Sequence, residues 1–193
     1  MKKSLGLFLL VFVGLGLVLN SFSQTGPSKD FGNIKIKNFG QMDEHFYRGS
    51  QPKKEDFQLL ATLGIKTVID LREDALDYEK SAVEAAGMTY VNIPMSDTEY
   101  PKPESIETFL KLVDNPETGT FYVHCAGGRH RTGIMGAVYR FNKYGWGLDQ
   151  TYQEMKNYDF YTRWGHGAMK DFVEDYAGKM SHSTDHQAHL KTN

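Results

Sequence analysis

The chain has 193 residues, with 22 Lys and Arg against 24 Asp and Glu, a formal net charge of −2. Such a balance excludes nucleic acid or an anionic membrane as a bulk electrostatic partner. A single cysteine, Cys125, excludes an internal disulfide, so stability has to come from packing.

Residues 1–23 have the pattern of a secretory signal: basic Lys2 and Lys3, an apolar run from Leu5 to Leu19, and Ser21-Phe22-Ser23 as a small-x-small cleavage site before Gln24. The apolar run is short for a membrane span. The expectation is an exported protein, periplasmic or secreted, with no stable membrane association after cleavage. Loss of Lys2 and Lys3 takes the mature chain to a net charge of −4. About 170 residues are then left, enough for one domain with a proper core.

Residues 24–32 (QTGPSKDFG) form a polar lead-in. Ile34–Phe39 and His45–Arg48 are predicted as short strands joined by a turn at Gly40. Pro52 opens a helix with Phe57, Leu59, Leu60 and Leu63 on its apolar face and Gly64 at its end. Lys66–Leu71 (KTVIDL) is an apolar run suited to a buried parallel strand. A helix over Tyr78–Ala86 closes at Gly87, and Thr89–Ile93 is the next strand. Pro103–Val113 carries helical periodicity through Ile106, Phe109, Leu110 and Val113. Phe121–His124 is the last strand. Helices are predicted over Thr132–Tyr144, Leu148–Tyr158 and Ala168–Ala177, with an aromatic, Gly-interrupted connector at Asp159–Gly167. Residues 179–193 are expected to be a polar, disordered tail, which bounds the folded domain at 24–178. Alternating strands and helices imply an α/β fold: a central, mostly parallel sheet of four to five strands flanked by helices.

The most informative stretch is His124-Cys125-Ala126-Gly127-Gly128-Arg129-His130-Arg131-Thr132-Gly133, set between a strand and a helix. Such a loop can turn consecutive backbone N–H groups inward as a nest for an anion at the positive end of a helix. Those dipoles would lower the pKa of the Cys125 thiol and make it a nucleophile. Gly127 and Gly128 permit close approach of backbone to ligand. Arg131 can grip two phosphoryl oxygens. Thr132 is placed to hydrogen-bond the departing sulfur, and His124 to fix the loop from the strand side. Ala126 to Arg131 thus make a candidate phosphate cradle, with Arg129 and His130 able to face outward toward further substrate phosphates. A lone thiol in an oxidising compartment also argues for a working cysteine.

HCAGGRHRTG resembles the HC-x5-R-[ST]-G signature of cysteine-dependent protein tyrosine and dual-specificity phosphatases. Its basic-His-Arg-Thr-Gly ending is most similar to the atypical dual-specificity branch of plants, fungi and bacteria. FYRGSQP, LGIKTVIDLRED and YVNIPMSD resemble that branch's upstream segments, so the likeness covers roughly residues 34–178. It implies a phosphotyrosine phosphatase-like fold and a phosphomonoesterase working through a cysteinyl-phosphate without metal or cofactor. Phosphorylated proteins or inositol phosphates are the implied substrates, since some members of the branch act on inositol pyrophosphates. Asp97, in IPMSDTEYP, matches the family's general-acid loop, with Glu99 the second choice. Asp70 and Arg72 are expected to form a structural pair, and Arg48 and Gln51 to order the entry to the first helix. Phe160, Tyr161 and Trp164 are assigned to core packing before pocket rim. His182, His186 and His189 lack ordered Cys or carboxylate partners, so no metal is expected. A monomer is expected. The alternatives are a rhodanese-type sulfurtransferase, whose arginine would sit one residue nearer the cysteine, where this chain has His130, and a phosphate-binding module without catalysis.

Overall fold

The computed structural model describes residues 31–163 and 165–191, with side chains described through residue 182. The expected signal segment and Trp164 lie outside the described residues, as do the side chains of His186 and His189.

Five strands form one sheet: β1 (Gly40–Gln41), β2 (Phe46–Ser50), β3 (Thr67–Arg72), β4 (Thr89–Met95) and β5 (Phe121–Cys125). Their order is β1-β2-β5-β3-β4; only β1 pairs antiparallel, so the sheet is mostly parallel. The helices are α1 (Asp56–Thr62), α2 (Glu79–Ala85), α3 (Pro103–Asp114), α4 (His130–Tyr139), α5 (Leu148–Asn157) and α6 (Gly167–Lys191). Gly64 and Gly87 follow α1 and α2 with φ of +85° and +79°, the helix ends expected there.

Four expectations need correcting. The first strand is not Ile34–Phe39 but the two-residue β1, and the turn lies at residues 42–45. There Asp43 accepts the amides of His45 and Phe46 at 2.8 Å each, a side-chain-made turn that outcompetes one at Gly40. Leu59 is exposed, and only Phe57 and Leu60 of α1 are buried, because a seven-residue helix presents a narrow face. The helix expected over Thr132–Tyr144 begins two residues earlier and passes into a π-helical turn, Arg140–Tyr144. Finally, α6 extends well past Ala177 and into the segment expected to be a polar tail. That stretch has no proline, and Met180 packs onto the core, which lets the helix propagate.

The sheet separates two layers. Along β5 the side chains alternate: Phe121, Val123 and Cys125 join the core formed with α3, α4, α5 and α6, while Tyr122 and His124 face the other way. Phe57, Leu60, Val68, Ala82 and Val83 are buried outside that cluster and cover the opposite face. β5 is central, and it leads to α4 on the core face, whereas its neighbour β3 leads to α2 on the opposite face. This is a topological switch point, where open α/β sheets bind ligands at the strands' carboxyl ends. Cys125 is the last residue of β5.

Candidate active site at the Cys125 loop

The loop from Ala126 to Arg129 joins β5 to α4, and the carbonyls of its first three residues are engaged on the outside. Ala126 O accepts the Gln51 amide at 3.3 Å, Gly127 O accepts Asn38 Nδ2 at 2.9 Å, and Gly128 O accepts Arg48 Nη2 at 2.8 Å. A peptide whose carbonyl is held outward presents its N–H on the other side, so three consecutive anchors produce a nest of inward amides. Gly128 adopts φ +66°, the left-handed conformation this reversal needs.

Cys125 is 3% exposed, and its sulfur receives the Gly128 and Thr132 amides of this nest. Burial pushes its pKa up, but the Thr132 hydroxyl, the Thr132 amide, the Arg131 charge and the Gly128 amide outweigh burial and hold the thiol below its ordinary value. Thr132 Oγ1 is fully buried and has no nitrogen or oxygen partner, so the sulfur is the group it serves. The nest, the start of α4 and Arg131 thus combine to favour a thiolate. Arg131 is buried, and its Nη1 donates to the carbonyl of Met95 at 3.1 Å. Through that bond the arginine of the loop touches the stem of the Asp97 loop.

Asp97 and Glu99 are both exposed, in the turn that follows β4. Ser96 shapes this turn: its Oγ accepts the amides of Thr98 and Glu99 at 3.4 and 3.2 Å. The carbonyl of Asp97 accepts a hydrogen bond from His166 Nδ1 at 2.8 Å.

Arg129 and His130 differ in placement. Arg129, about one-third exposed, leans toward Asp159 (3.8 Å) and the Tyr161 ring (5.8 Å). His130 does not face outward: it stacks on His166 with centroids 3.6 Å apart and meets Tyr161 and Phe160 edge-on. Burial, with the charges of His166, Arg129 and Arg131, depresses its pKa to about 4, so it is neutral near pH 7. Phe160 is buried, as core packing required, and Tyr161 is half-buried beside His130 and Arg129.

Behind the loop, His124 is fully buried against Glu79 (Nε2 to Oε1, 2.7 Å) and approaches Asp70 (Nδ1 to Oδ1, 3.8 Å). Among the described residues these three form the one cluster whose donors lie close enough together for a metal ion. Most of their capacity is already used. Asp70 accepts from Tyr90 Oη (3.0 Å) and the Arg72 amide (2.9 Å), and Gln51 Nε2 donates to Glu79 at 2.8 Å. Burial first, then the nearby Glu79 charge, raises the Asp70 carboxyl's pKa against the pull of His124. The three side chains pack together in the buried layer behind the nucleophile.

The expected Asp70–Arg72 side-chain pair does not form. The Arg72 guanidinium instead binds Asp74 (3.0 Å) and Gln51 Oε1 (2.5 Å); residues two apart on a strand share a face, but the β3–β4 register shifts between Asp70 and Arg72, and Asp70 takes the Arg72 backbone amide instead. Arg48 does not order the entry to α1 either. It is buried, with its guanidinium 4.0 Å above the Tyr158 ring, and it anchors the Cys125 loop. Asn38, Glu79, Tyr158 and His166 were not singled out from sequence. They lie between roughly 30 and 90 residues from the loop along the chain, and of the four only His166 falls in the connector at Asp159–Gly167.

The family described as DSP-PTPase phosphatase fused to NAD+ Kinase matches residues 27–171. The probable tyrosine-protein phosphatase DG1060 of Dictyostelium discoideum is 27% identical over 132 residues, covering 65% of this chain and 78% of that protein. The chloroplastic NAD kinase 2 of Arabidopsis thaliana is 32% identical over 105 residues, 51% of this chain but 10% of its own length. Among solved structures, the core catalytic domain of the PP-IP phosphatase SIW14 from S. cerevisiae, in complex with citrate, has a TM-score of 0.63 at 25% identity. It covers 73% of this chain and 86% of that one.

Proposed function

We propose that this chain, which belongs to the DSP-PTPase phosphatase family and is a hydrolase, is an exported phosphomonoesterase that works through a cysteinyl-phosphate and needs no metal. The observation that carries the mechanism is the outward anchoring of the Ala126, Gly127 and Gly128 carbonyls around a sulfur held toward the thiolate. The Cys125 thiolate attacks phosphorus; the S–P bond forms as the P–O bond to the leaving group breaks. The loop amides and Arg131 hold the equatorial oxygens. Asp97 gives its proton to the leaving oxygen, then takes one from the water that cleaves the S–P bond. Inorganic phosphate departs, and Thr132 stabilises the regenerated thiolate.

Two substrate classes are candidates: phosphorylated proteins, to which the name of the Dictyostelium relative points, and inositol phosphates, to which the name of the yeast relative, inositol diphosphatase SIW14, points. Arg129 is the partly exposed cation positioned for a second phosphate. In a panel of phosphopeptides and inositol phosphates, Arg129→Ala should lose activity selectively on the inositol phosphates. An equal loss on both would remove Arg129 from substrate choice.

Cys125→Ser should abolish turnover while vanadate still binds, and the wild-type enzyme should keep its activity in EDTA. Substantial turnover by the serine variant would sink the nucleophile assignment, and loss in EDTA the metal-free one. For export, cell fractionation and N-terminal sequencing should find a mature chain beginning at Gln24. A cytoplasmic protein retaining Met1 would refute it.

A further inference from the structure

A general acid contributes only if its carboxyl is held over the leaving oxygen, and an exposed five-residue turn does not hold itself. The turn carrying Asp97 is tied at both ends. Arg131 binds Met95 at its start, and beyond it Tyr100 Oη donates to Asp175 of α6 at 3.0 Å. In the middle, the contact comes from the connector between α5 and α6. His166 Nδ1 lies 2.8 Å from the carbonyl oxygen of Asp97 itself. A carbonyl only accepts, so Nδ1 carries the proton. The same imidazole ring stacks on His130 at 3.6 Å with planes 17° apart, and Tyr161 meets both rings edge-on at 4.4 and 5.5 Å. His130 sits between Arg129 and Arg131 in the phosphate loop. Gly165, next to His166, adopts φ +88°, a conformation that favours glycine. It lies beside Thr98: a Cβ there would stand 3.5 Å from Thr98 Cγ2, an ordinary contact.

We propose that His166 is a positioning residue for the general acid, fastening the Asp97 backbone to the Cys125 loop through its stack on His130. The inference rests on Asp97 being the acid. With the acid turn and the phosphate loop joined by one imidazole, the carboxyl of Asp97 and the sulfur of Cys125 keep a fixed relation. A neutral His130, depressed to about 4, lets the two rings stack without mutual repulsion.

The test separates acid catalysis from general integrity by the leaving group. A good leaving group such as p-nitrophenolate departs without a proton, whereas phenolate needs one. We compare kcat/KM for p-nitrophenyl phosphate and phenyl phosphate, since kcat/KM reports the P–O cleavage step. His166→Ala should lower kcat/KM for phenyl phosphate by about ten- to a hundredfold and leave p-nitrophenyl phosphate within about twofold. His166→Asn, whose amide can donate from near the Nδ1 position, should recover most of the loss. Asp97→Asn, run in parallel, should show the same selectivity more strongly. If Asp97→Asn is selective but His166→Ala is not, or if both substrates fall together in His166→Ala and His166→Asn alike, the positioning role is wrong. If Asp97→Asn itself shows no selectivity, the acid assignment fails and the role of His166 falls with it.

Discussion

Gly127 and Gly128 are the same residue side by side, yet the structure asks different things of them. A Cβ on Gly127 would find its nearest neighbour, the Arg129 side chain, at 3.8 Å, an ordinary contact. A Cβ on Gly128 would fall against the carbonyl group of Gly49 and lie 2.6 Å from the amide nitrogen of Ser50, all backbone, at φ +66°. Backbone of β2 cannot yield without breaking the pairing that sets Ser50 opposite Cys125. Gly128→Ala should therefore cost most of the activity and lower Tm, while Gly127→Ala should keep a folded protein with activity within about tenfold of wild type. Thermal melts and kcat/KM for both variants check this; equal behaviour of the two would show that the loop is not pressed against β2. The sequence shows two flexible residues in a phosphate-loop pattern. Which of them is obligatory depends on β2, some 80 residues earlier in the chain.

At the scale of elements, the connector and α4 are joined by the His130–His166 stack, and His130 gives that joint a pH signature. Its pKa falls from an ordinary 6.5 to about 4, first through burial, then through the charges of His166, Arg129 and Arg131; a hydrogen bond involving the Tyr161 backbone opposes the shift. Between those two values the unfolded chain binds a proton that the folded chain does not. Folding stability therefore falls as pH drops from about 6.5 toward 4 and is insensitive to this group above 6.5. Urea unfolding midpoints measured across that window should decline for wild type and decline less for His130→Asn. Parallel curves would assign the acid sensitivity to other groups. The π-helical turn at the end of α4 has its own physical anchor. There Arg140 binds Glu154 at 2.7 Å and covers the Tyr144 and Trp146 rings at 4.9 and 4.2 Å. Periodicity alone reads this stretch as continuous α-helix, because the apolar spacing of Val138 and Phe141 is compatible with both.

At the scale of the whole molecule, Arg48 ties together parts of the chain that no local signal connects. From β2 it donates to Gly128 of the phosphate loop and lies over Tyr158, just past the end of α5, while its charge is felt by the Cys125 sulfur. Arg48→Met keeps much of the volume but leaves the Gly128 carbonyl without its donor in a buried site. It should cost about 1–3 kcal/mol in urea unfolding and slow iodoacetamide alkylation of Cys125 near neutral pH. A variant as stable and as reactive as wild type would show that the loop holds its shape without this anchor. The sequence by itself determined the α/β order, a buried strand at Lys66–Leu71 that the structure has at Thr67–Arg72, and the position of Cys125 between a strand and a helix. Apolar runs, helix-ending glycines and a dense motif are local patterns, and local patterns survive in a linear text. Tertiary structure alone decided that Asn38, Arg48 and Gln51 turn the loop carbonyls outward, that Glu79 braces His124, and that His166 holds Asp97 while His130 is folded inward. Each of these is a polar contact between distant segments. No local pattern encodes such a contact, because its partners come within reach only once the segments have met.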